Sequence, residues 1–408
     1  MSTPRIISLF TGAGGLDYGF EAAGFETAVA LDVDPACCAT LRRNRPWPVI
    51  QRDIVDVTTF DILKAGQLKR GEADVLVGGP PCQPFSKSGY WATGDAQRMD
   101  DPRANTLHAY LRVLEDTQPK TFLLENVPGL AFSGKDEGML YLLKRIEEIN
   151  RKTDCYYRPV VQPLNAADFG VPQIRERVFV IGCRDGNKFQ FPTPRFLPIE
   201  KEDLAGTQPY RTAWDALADA GPESEQDLIV TGKWAELLPS IPEGLNYLHH
   251  TSRGAGLPLF GWRRRYWTFL LKLAKNRPAW TIQAQPGPAT GPFHWRNRRL
   301  SMRELCRLQT FPDDVEIVGN LRSAQMQLGN AVPSLLAEIL AREIRVQLLG
   351  LSRTRREPQL LPPDRSPAPP PDGPLPAPLV FHDLIGDHSA HPGTGKGFRA
   401  QANGRPGA

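Results

Sequence analysis

The stretch IISLFTGAGGLDYGF (residues 6–20) joins an apolar run to a helix-like segment through a glycine-rich turn. The apolar run predicts a buried strand, and the residues after the turn predict a helix. A glycine-rich loop is weak evidence by itself. Between a first strand and a helix, however, such a loop is typical of a nucleotide-like cofactor site in an α/β sheet. The spacing is not GxGxxG, which argues against a dinucleotide.

The same alternation continues through about the first 185 residues. Four further segments have the short apolar pattern of buried strands: AVALDV (28–33), DVLVG (74–78), TFLLEN (121–126) and RVFVIG (177–182). Helical patterns lie between them, at PACCATLRRN (35–44) and GMLYLLKRIEEIN (138–150). Strands that alternate with helices predict βαβ units, and therefore an α/β fold with a mostly parallel, doubly wound sheet.

The pattern changes after about residue 186. Residues 190–297 are rich in Pro, Gly, Trp and Arg without a clean period, which indicates a smaller, loop-rich domain. Helical pattern returns at SMRELCRLQTF (301–311) and at VPSLLAEILAREIRVQLL (332–349). The Pro-rich residues 351–408 predict a disordered tail.

Composition and cysteine usage limit the class of protein. The 408-residue chain has no signal pattern and no apolar stretch of membrane-spanning length, so we expect a cytoplasmic protein that does not contact membranes. Its six cysteines form no CxxC pair and do not cluster with histidines. Neither a zinc site nor a disulfide framework is indicated, and no metal is expected.

The net charge is only +4, but basic residues are concentrated in one region. From Arg253 to Pro312 there are twelve Lys and Arg residues against a single acid, Glu304. Aromatic residues are interleaved with them at GWRRRYW (261–267) and FHWRNRR (293–299). A charge run is often no more than a solvated face, but this imbalance favours a nucleic acid as the partner.

Two acids follow the second and third strand candidates. Asp32 comes about 20 residues after the glycine-rich loop, where a carboxylate can accept hydrogen bonds from ribose hydroxyls. Asp53 could hold an adenine amino group, with Ile54 packed on the ring. Each acid alone could be a helix cap or a surface charge. Together, and in this order, they favour a cofactor that contains adenosine.

GGPPCQPFS (78–86) places a lone cysteine, Cys82, directly after a buried strand. Prolines stiffen the backbone around the thiol and glycines open it before the thiol, as suits a sulfur held where a substrate can reach it. An inert cysteine in a turn is the alternative. Glu125 follows the next strand at the same sheet edge, where partial burial would raise its pKa and let it donate a proton. A capping acid is the alternative there.

Gln173, Arg175 and Arg177 occupy alternate positions that lead into the strand RVFVIG. Residues at i, i+2 and i+4 share one face of a strand, so the two guanidiniums point the same way, towards anionic or carbonyl oxygens. A polar strand face without a ligand is the alternative.

Together, these motifs resemble the DNA (cytosine-5)-methyltransferase family of bacterial restriction–modification type. The resemblance rests on FTGAGG, Asp32, Asp53, GGPPCQPFS, ENV, QIRER, RELCRLQTFPD and GNAVP in this order, and covers residues 5–345 except about 190–290. It implies a Rossmann-like domain that binds S-adenosylmethionine (AdoMet), and a smaller target-recognition domain. The implied bounds are a catalytic domain at 1–188, the recognition domain at 189–318, a returning segment at 319–350 and the tail at 351–408.

The resemblance also assigns catalytic roles. Cys82 would add to C6 of a cytosine that is flipped out of the duplex, so that C5 can attack the methyl group. Glu125 would contact N3 and the exocyclic amine. Arg177 would hold O2, and Arg175 would help to set the electrostatics of the thiol and contact the DNA backbone.

Cofactor and DNA contacts are likewise implied by resemblance. The AdoMet-binding residues would be Phe10, Gly12, Ala13, Gly15, Asp32, Val33, Asp53, Ile54, Gly79, Pro81, Leu107 and Asn330. Residues 86–103 would form a mobile loop that closes over DNA. The DNA-contacting residues would be Ser86, Arg103, Gln173, Arg263, Arg264, Arg265, Arg296 and Arg298.

The sequence therefore predicts an enzyme that methylates C5 of a cytosine in a specific short sequence of double-stranded DNA. We expect a monomer associated with the nucleoid, encoded with a cognate restriction endonuclease. A tRNA cytosine-5 methyltransferase of the same fold is the alternative, and the basic domain of about 100 residues favours DNA. A zinc nucleobase deaminase would require HxE and PCxxC motifs, which the sequence lacks.

Overall fold

The computed structural model describes residues 3–81, 105–128, 137–198, 206–222, 224–262, 266–386 and 388. None of the helices in these ranges is long and apolar enough to cross a membrane. The fold is centred on one seven-stranded sheet with helices on both faces.

The strand order of this sheet is β3-β2-β1-β4-β5-β7-β6. Its strands are β1 Arg5–Leu9, β2 Glu26–Asp32, β3 Val49–Gln51, β4 Val75–Gly78, β5 Thr121–Asn126, β6 Val160–Asn165 and β7 Glu176–Cys183. The first five are parallel, and β7 is antiparallel to both of its neighbours. The order reverses between β1 and β4, as in a doubly wound sheet, so the prediction of a Rossmann-like α/β fold is confirmed.

Nine α-helices lie in the described ranges: α1 Gly15–Ala22, α2 Pro35–Asn44, α3 Thr59–Ala65, α4 Asn105–Thr117, α5 Glu137–Thr153, α6 Ala213–Leu217, α7 Met302–Leu308, α8 Leu321–Asn330 and α9 Ser334–Gln347. Their ends have local causes. Asp34 caps α2 by accepting a hydrogen bond from the Cys37 N–H, and Pro35 follows at the first helical position. Ser301 and Glu304 form a capping box on α7.

A small two-stranded sheet joins β8 Phe196–Leu197 to β9 Gln208–Pro209.

Alternate residues of the central strands face two separate hydrophobic clusters. Ile7 and Leu76 belong to one cluster, whereas Ile6, Val75 and Val77 belong to the other, and all are fully buried. Side chains of a strand alternate between faces, so a parallel strand that is covered on both faces is apolar at every position. This explains the continuous apolar runs that predict the strands.

Helix α9 returns the chain to the start of the sheet and packs on α1. A Cβ atom at Gly19 would lie 2.4 Å from the Ser334 carbonyl oxygen. One at Gly15 would lie 2.2 Å from the Val332 carbonyl oxygen. Glycine at these two positions therefore allows the backbones of α1 and the C-terminal segment to touch, which no larger residue permits.

The described residues between 189 and 300 contain little regular structure. Their core is an aromatic and aliphatic cluster of buried residues, which includes Leu237, Leu238, Tyr247, Leu270 and Phe293. A further cluster joins residues 213–220 and 273–315 to Ala13 and Tyr18 near the sheet. The loop-rich character predicted from the missing period is thus observed.

The tail differs from its prediction. We expected disorder over residues 351–408, but residues 351–386 are described and pack on the rest of the protein; residues 389–408 lie outside the described ranges. Proline reduces the conformational freedom that a chain loses on ordering, so a Pro-rich segment can be held by a modest number of contacts. Those contacts come from buried side chains elsewhere in the chain, which composition does not reveal.

Asp17 generates a prediction about stability and pH. Its side chain is fully buried in α1 and accepts hydrogen bonds from Ser8 Oγ at 2.9 Å and Thr27 Oγ1 at 3.1 Å. Burial raises the pKa of Asp17 from 3.8 to about 7. Between these values the folded state holds a proton that the unfolded state releases, so the stabilisation present below pH 4 is lost as the pH rises through about 7.

We expect Asp17→Asn to flatten the pH dependence of the free energy of unfolding over this interval, removing a variation of up to roughly 4 kcal/mol. Urea unfolding at pH 4.5, 6 and 8 measures it. Asp227→Asn, at an exposed position of the short 3-10 helix Gln226–Leu228, is the control. An unchanged slope in the Asp17 variant would show that its carboxyl is ionised when folded.

Candidate active site

The predicted site residues meet at the carboxyl ends of β4 and β5. These strands are parallel neighbours in which Gly78 pairs with Leu124, so the GGPP turn and Glu125 leave the sheet at one edge. Asn126 Nδ2 donates to the Pro80 carbonyl oxygen at 3.1 Å. Thr106 Oγ1 donates to the Pro81 carbonyl oxygen at 3.2 Å. Two polar side chains thus hold the backbone that leads to the next residue, Cys82.

Cys82 itself lies outside the described residues, as do Ser86, Arg103, Arg263, Arg264 and Arg265. The roles expected for these six residues therefore stay predictions. The other five cysteines are all buried. Among the described residues, no three His, Cys, Asp or Glu side chains come together as metal ligands would.

Glu125 and Arg177 form an ion pair at this edge, with Arg177 Nε 2.9 Å from Glu125 Oε1. In the β5–β7 ladder Glu125 pairs with Phe179, and Arg177 lies two residues away on the same face. Burial raises the pKa of the Glu125 carboxyl above its ordinary value and outweighs the opposing effects of Arg177 and Arg175. The geometry therefore favours a carboxyl that keeps its proton to a higher pH than an exposed glutamate does.

Gly79 lies against this carboxyl. A Cβ atom there would be 2.7 Å from Glu125 Oε2. The resemblance places Gly79 near the cofactor, and that role stays a prediction; the structure shows in addition that Gly79 packs beside Glu125. The double glycine before the prolines was the signal for such a close approach.

Arg175 is turned into the protein. It is 1% exposed, and its two Nη atoms donate to the carbonyl oxygens of Gly329 at 2.7 Å and Ile282 at 3.3 Å. A side chain with these contacts has no surface to offer to a DNA phosphate, which corrects that part of its expected role. Its charge still lowers the pKa of Glu125, so an electrostatic influence on the site is retained.

Two residues expected to contact DNA are also internal. Gln173 is fully buried and donates to the carbonyl oxygen of Leu308 at 3.2 Å. Arg298 is 4% exposed and makes two hydrogen bonds to Glu304, at 2.7 and 2.8 Å. Both expectations are corrected. Gln173 was predicted from alternation along a strand and Arg298 from the number of basic residues, and neither pattern shows which polar side chains have hydrogen-bond partners in the protein interior. Arg296, in contrast, is exposed.

The loop after β1, residues 10–14, has an open backbone and is here called the cradle. Phe10, Gly12 and Gly14 have positive φ values of 53°, 57° and 91°. Asp32 fixes the loop by accepting a hydrogen bond from the Gly12 N–H at 2.7 Å and one from the Asp34 N–H at 2.8 Å. A Cβ atom at Gly12 would meet nothing within 4 Å, so there is open space above the loop. Burial raises the pKa of Asp32.

The remaining expected cofactor residues fall into two groups. Val33, Asp53, Pro81 and Asn330 are exposed, and Phe10 is half-buried. Ala13, Gly15, Ile54 and Leu107 are buried. Ile54 is only 2% exposed and belongs to the core, so its side chain does not present the ring-packing surface that we expected. Val33, at 61% exposed beside Asp32, does present an apolar surface there.

Comparison with known proteins agrees with this arrangement. A family model for the C-5 cytosine-specific DNA methylase matches residues 4–346. The chain is 39% identical over 369 residues to the type II methyltransferase M.SacI of Streptomyces achromogenes, covering 84% of this chain and 93% of that protein. It is 45% identical over 226 residues to the type II methyltransferase M.AquIA of Picosynechococcus, covering 53% and 89%. The Entamoeba histolytica methyltransferase EhMeth shares the fold, with a TM-score of 0.57 at 17% identity over 84% and 98% of the two chains.

The doubly wound sheet, with its open glycine-rich loop and the polar residues at its carboxyl edge, is Rossmann-like. The chain belongs to the C-5 cytosine-specific DNA methylase family, whose model covers most of it and whose members are AdoMet-dependent methyltransferases. The protein therefore transfers a methyl group from AdoMet to C5 of cytosine in DNA.

Gly79 provides a test of the site geometry. In Gly79→Ala the added methyl group would displace the Glu125 carboxyl, and a displacement of about 1 Å can cost on the order of 10²-fold in rate. We expect kcat for methyl transfer to fall by about this factor with little change in thermal unfolding. Gly221→Ala is the matched control, since a Cβ atom there meets nothing within 4 Å. Wild-type kcat in Gly79→Ala would show that the carboxyl does not need this position.

Proposed function

We propose that Cys82 is the nucleophile and that Glu125 and Arg177 hold the target cytosine. One observation carries this assignment: the ion pair of the buried Glu125 with the half-buried Arg177 lies at the sheet edge where the fixed GGPP backbone leads to Cys82. The pair presents a carboxyl and a guanidinium side by side. These groups match N3 and O2, which are adjacent on one edge of a cytosine.

In this proposal the Cys82 thiolate adds to C6 while Glu125 donates its proton to N3. C5 would gain enamine character and attack the methyl carbon, whose bond to the sulfonium sulfur would break so that S-adenosylhomocysteine leaves. Solvent water would then take the C5 proton, and elimination would break the S–C6 bond and return the thiolate. Glu125 recovers the proton from N3 as the ring regains its double bond. The raised pKa of Glu125 supports the donor role, because it extends to higher pH the range over which the carboxyl carries a proton.

We further propose that the cradle between β1 and β2 holds AdoMet, which supplies the methyl group when bound. The open space at Gly12 and the exposed Val33 fit an adenosine group. Asp32 keeps acceptor capacity for ribose hydroxyls beyond its two backbone hydrogen bonds. Asp53 and Asn330 are exposed and available to the same ligand.

For DNA, we propose residues 189–318 as the recognition domain and 1–188 with 319–350 as the catalytic domain. Exposed side chains support a nucleic-acid surface: Arg253 lies over the Trp262 ring at 4.2 Å, and Tyr266 and Trp267 are 47% and 41% exposed. Not all of the basic residues between Arg253 and Pro312 are exposed. Lys272, Lys275 and Arg298 are each buried, so they do not face a phosphate.

The biological setting is also a proposal. The relatives M.SacI and M.AquIA are named type II methyltransferases, which supports pairing of this protein with a cognate restriction endonuclease. We propose that it acts in the cytoplasm on nucleoid DNA, as a monomer. A tRNA substrate is less supported, since the family model that matches the chain is one of DNA methylases.

The nucleophile is tested by expressing the chain in a host that lacks cytosine methylation and sequencing methylated cytosines in its genome. The wild type is expected to modify one short motif fully, and Cys82→Ser is expected to modify none while binding AdoMet normally by calorimetry. Cys306→Ser is the matched control, because burial raises the pKa of that thiol to about 12 and leaves it inert. Methylation by the Cys82 variant would refute the assignment.

The proton donor is tested by the pH profile of methyl transfer. In the wild type, the rate is expected to decline at high pH as Glu125 loses its proton. Glu125→Gln should be slower by roughly 10²- to 10⁴-fold and should lack this decline. Glu176→Gln, at an exposed neighbouring position on β7, should keep the wild-type profile. An alkaline decline that persists in Glu125→Gln would assign it to another group.

A further inference from the structure

The tail beyond α9 lies outside the family match, which ends at residue 346. In the structure, residues 355–386, here called the tail strap, run from α9 to the aromatic cluster of the recognition domain. Four sets of contacts hold the tail strap along this course. Each set includes at least one buried side chain.

The first contacts are on α9. Glu338 is fully buried, and its carboxylate accepts hydrogen bonds from the Gln359 N–H at 2.6 Å and the Leu360 N–H at 2.9 Å. Arg342, at 5% exposed, donates to the carbonyl oxygens of Arg356 and Glu357 at 2.8 and 3.0 Å. Because both helix side chains are buried and charged, the strap supplies hydrogen bonds that they would otherwise lack.

The middle of the strap crosses to residues 211–219. Arg211 is 7% exposed and pairs with Asp364 at 2.9 Å. The Arg365 N–H donates to Asp215 Oδ1 at 2.6 Å, and the Arg365 guanidinium pairs with Asp219 at 2.7 Å. The strap thus reaches helix α6, which packs on α7 and belongs to the cluster that joins the two halves of the chain.

Further along, the strap meets a buried lysine. Lys275 is 6% exposed; its Nζ lies 2.7 Å from Glu243 and 3.4 Å from Asp372, and it donates to the Pro370 carbonyl oxygen at 3.2 Å. The Leu375 N–H donates to the Pro239 carbonyl oxygen at 3.0 Å. Lys275 is one of the basic residues whose number suggests a DNA-binding surface, but in the structure it binds the tail strap.

The strap ends in the aromatic cluster. Phe381 is 4% exposed and stacks on Trp234 with a centroid distance of 5.7 Å and an interplanar angle of 17°. Trp234 in turn contacts Phe260 at 5.2 Å and Phe269 at 5.7 Å. Leu379 and Val380, immediately before Phe381, are 80% and 68% exposed, so burial is specific to the phenylalanine.

Phe260 and Phe269 have a particular position in the sequence. They flank residues 261–268, the segment GWRRRYWT, and their rings contact each other at 5.7 Å. The ends of this basic, aromatic segment are therefore fixed in the cluster that Phe381 completes. Trp262, Tyr266 and Trp267, inside the segment, are not buried.

We propose that Phe381 is a positioning residue for DNA recognition: the tail strap fixes Phe260 and Phe269, and so sets how the nearby Trp262, Tyr266 and Trp267 meet DNA. This inference rests on the proposed function of residues 189–318 as the recognition domain. Stacked rings beneath exposed aromatic side chains restrict the orientations that those side chains take, and discrimination between bases depends on such placement. Loss of the Phe381 ring leaves the three aromatic residues free to take more than one orientation.

The test compares the full chain with Phe381→Ala. The substrate is a duplex that carries the motif found by genome methylation sequencing, together with duplexes that differ from it at one base pair. We expect KM for the duplex to rise about tenfold with kcat within twofold and the Kd for AdoMet unchanged, because only DNA placement is altered. The ratio of kcat/KM between the motif and its mismatched versions should fall by about tenfold.

Leu379→Ala is the matched control, and it should behave as the wild type because that side chain is exposed. Should Phe381→Ala fail to fold, Phe381→Leu keeps apolar volume but loses ring stacking, and the same changes in KM and discrimination are expected. Wild-type KM and discrimination in the folded variant, with or without a lower melting temperature, would overturn the proposal and leave the strap a stabilising element only.

A second variant separates this proposal from the one on which it rests. Replacing Arg263, Arg264 and Arg265 together by alanine should weaken DNA binding strongly if segment 261–268 faces DNA. Wild-type DNA affinity in that triple variant would refute the proposed role of the segment. Weakened binding there, combined with a wild-type result for Phe381→Ala, would refute only the role of the strap.

Discussion

Glu125 is subject to two opposed electrostatic effects at the end of β5. Burial removes water and raises its pKa, whereas the Arg177 guanidinium at 2.9 Å favours the ionised form. Burial is the larger effect, and the result is a carboxyl with a raised pKa held beside a cation. The register of β5 with β7 brings the two side chains together, and the absence of a side chain at Gly79 leaves room for the carboxyl.

The site depends on segments that are distant in sequence. Arg175 leads into β7 but is anchored on the carbonyl oxygens of Ile282 and Gly329, more than a hundred residues away. Gly15, the first residue of α1, lies against the backbone of Val332. The C-terminal segment packs against both the start of α1 and Arg175. Both parts of the site therefore keep their shape only while this segment is folded onto the sheet.

Charge in the second half of the chain has two different uses. Arg298 and Glu304 satisfy each other inside, and Lys275 joins Glu243 to the strap. Buried charges need such partners, since an unpaired charge in a protein interior is costly. Among the described residues, the exposed cations available to DNA are therefore fewer than the sequence count.

The sequence by itself determined the sheet and the residues at its edge. Runs such as VLVG and TFLLEN are apolar at every position because both faces are covered, and the side chains that follow them must emerge at one edge. Only the tertiary structure decided that Gln173, Arg175 and Arg298 are internal and that residues 351–386 of the tail pack on the rest of the protein. These outcomes depend on hydrogen-bond partners brought from distant segments, and local composition and periodicity carry no information about such partners.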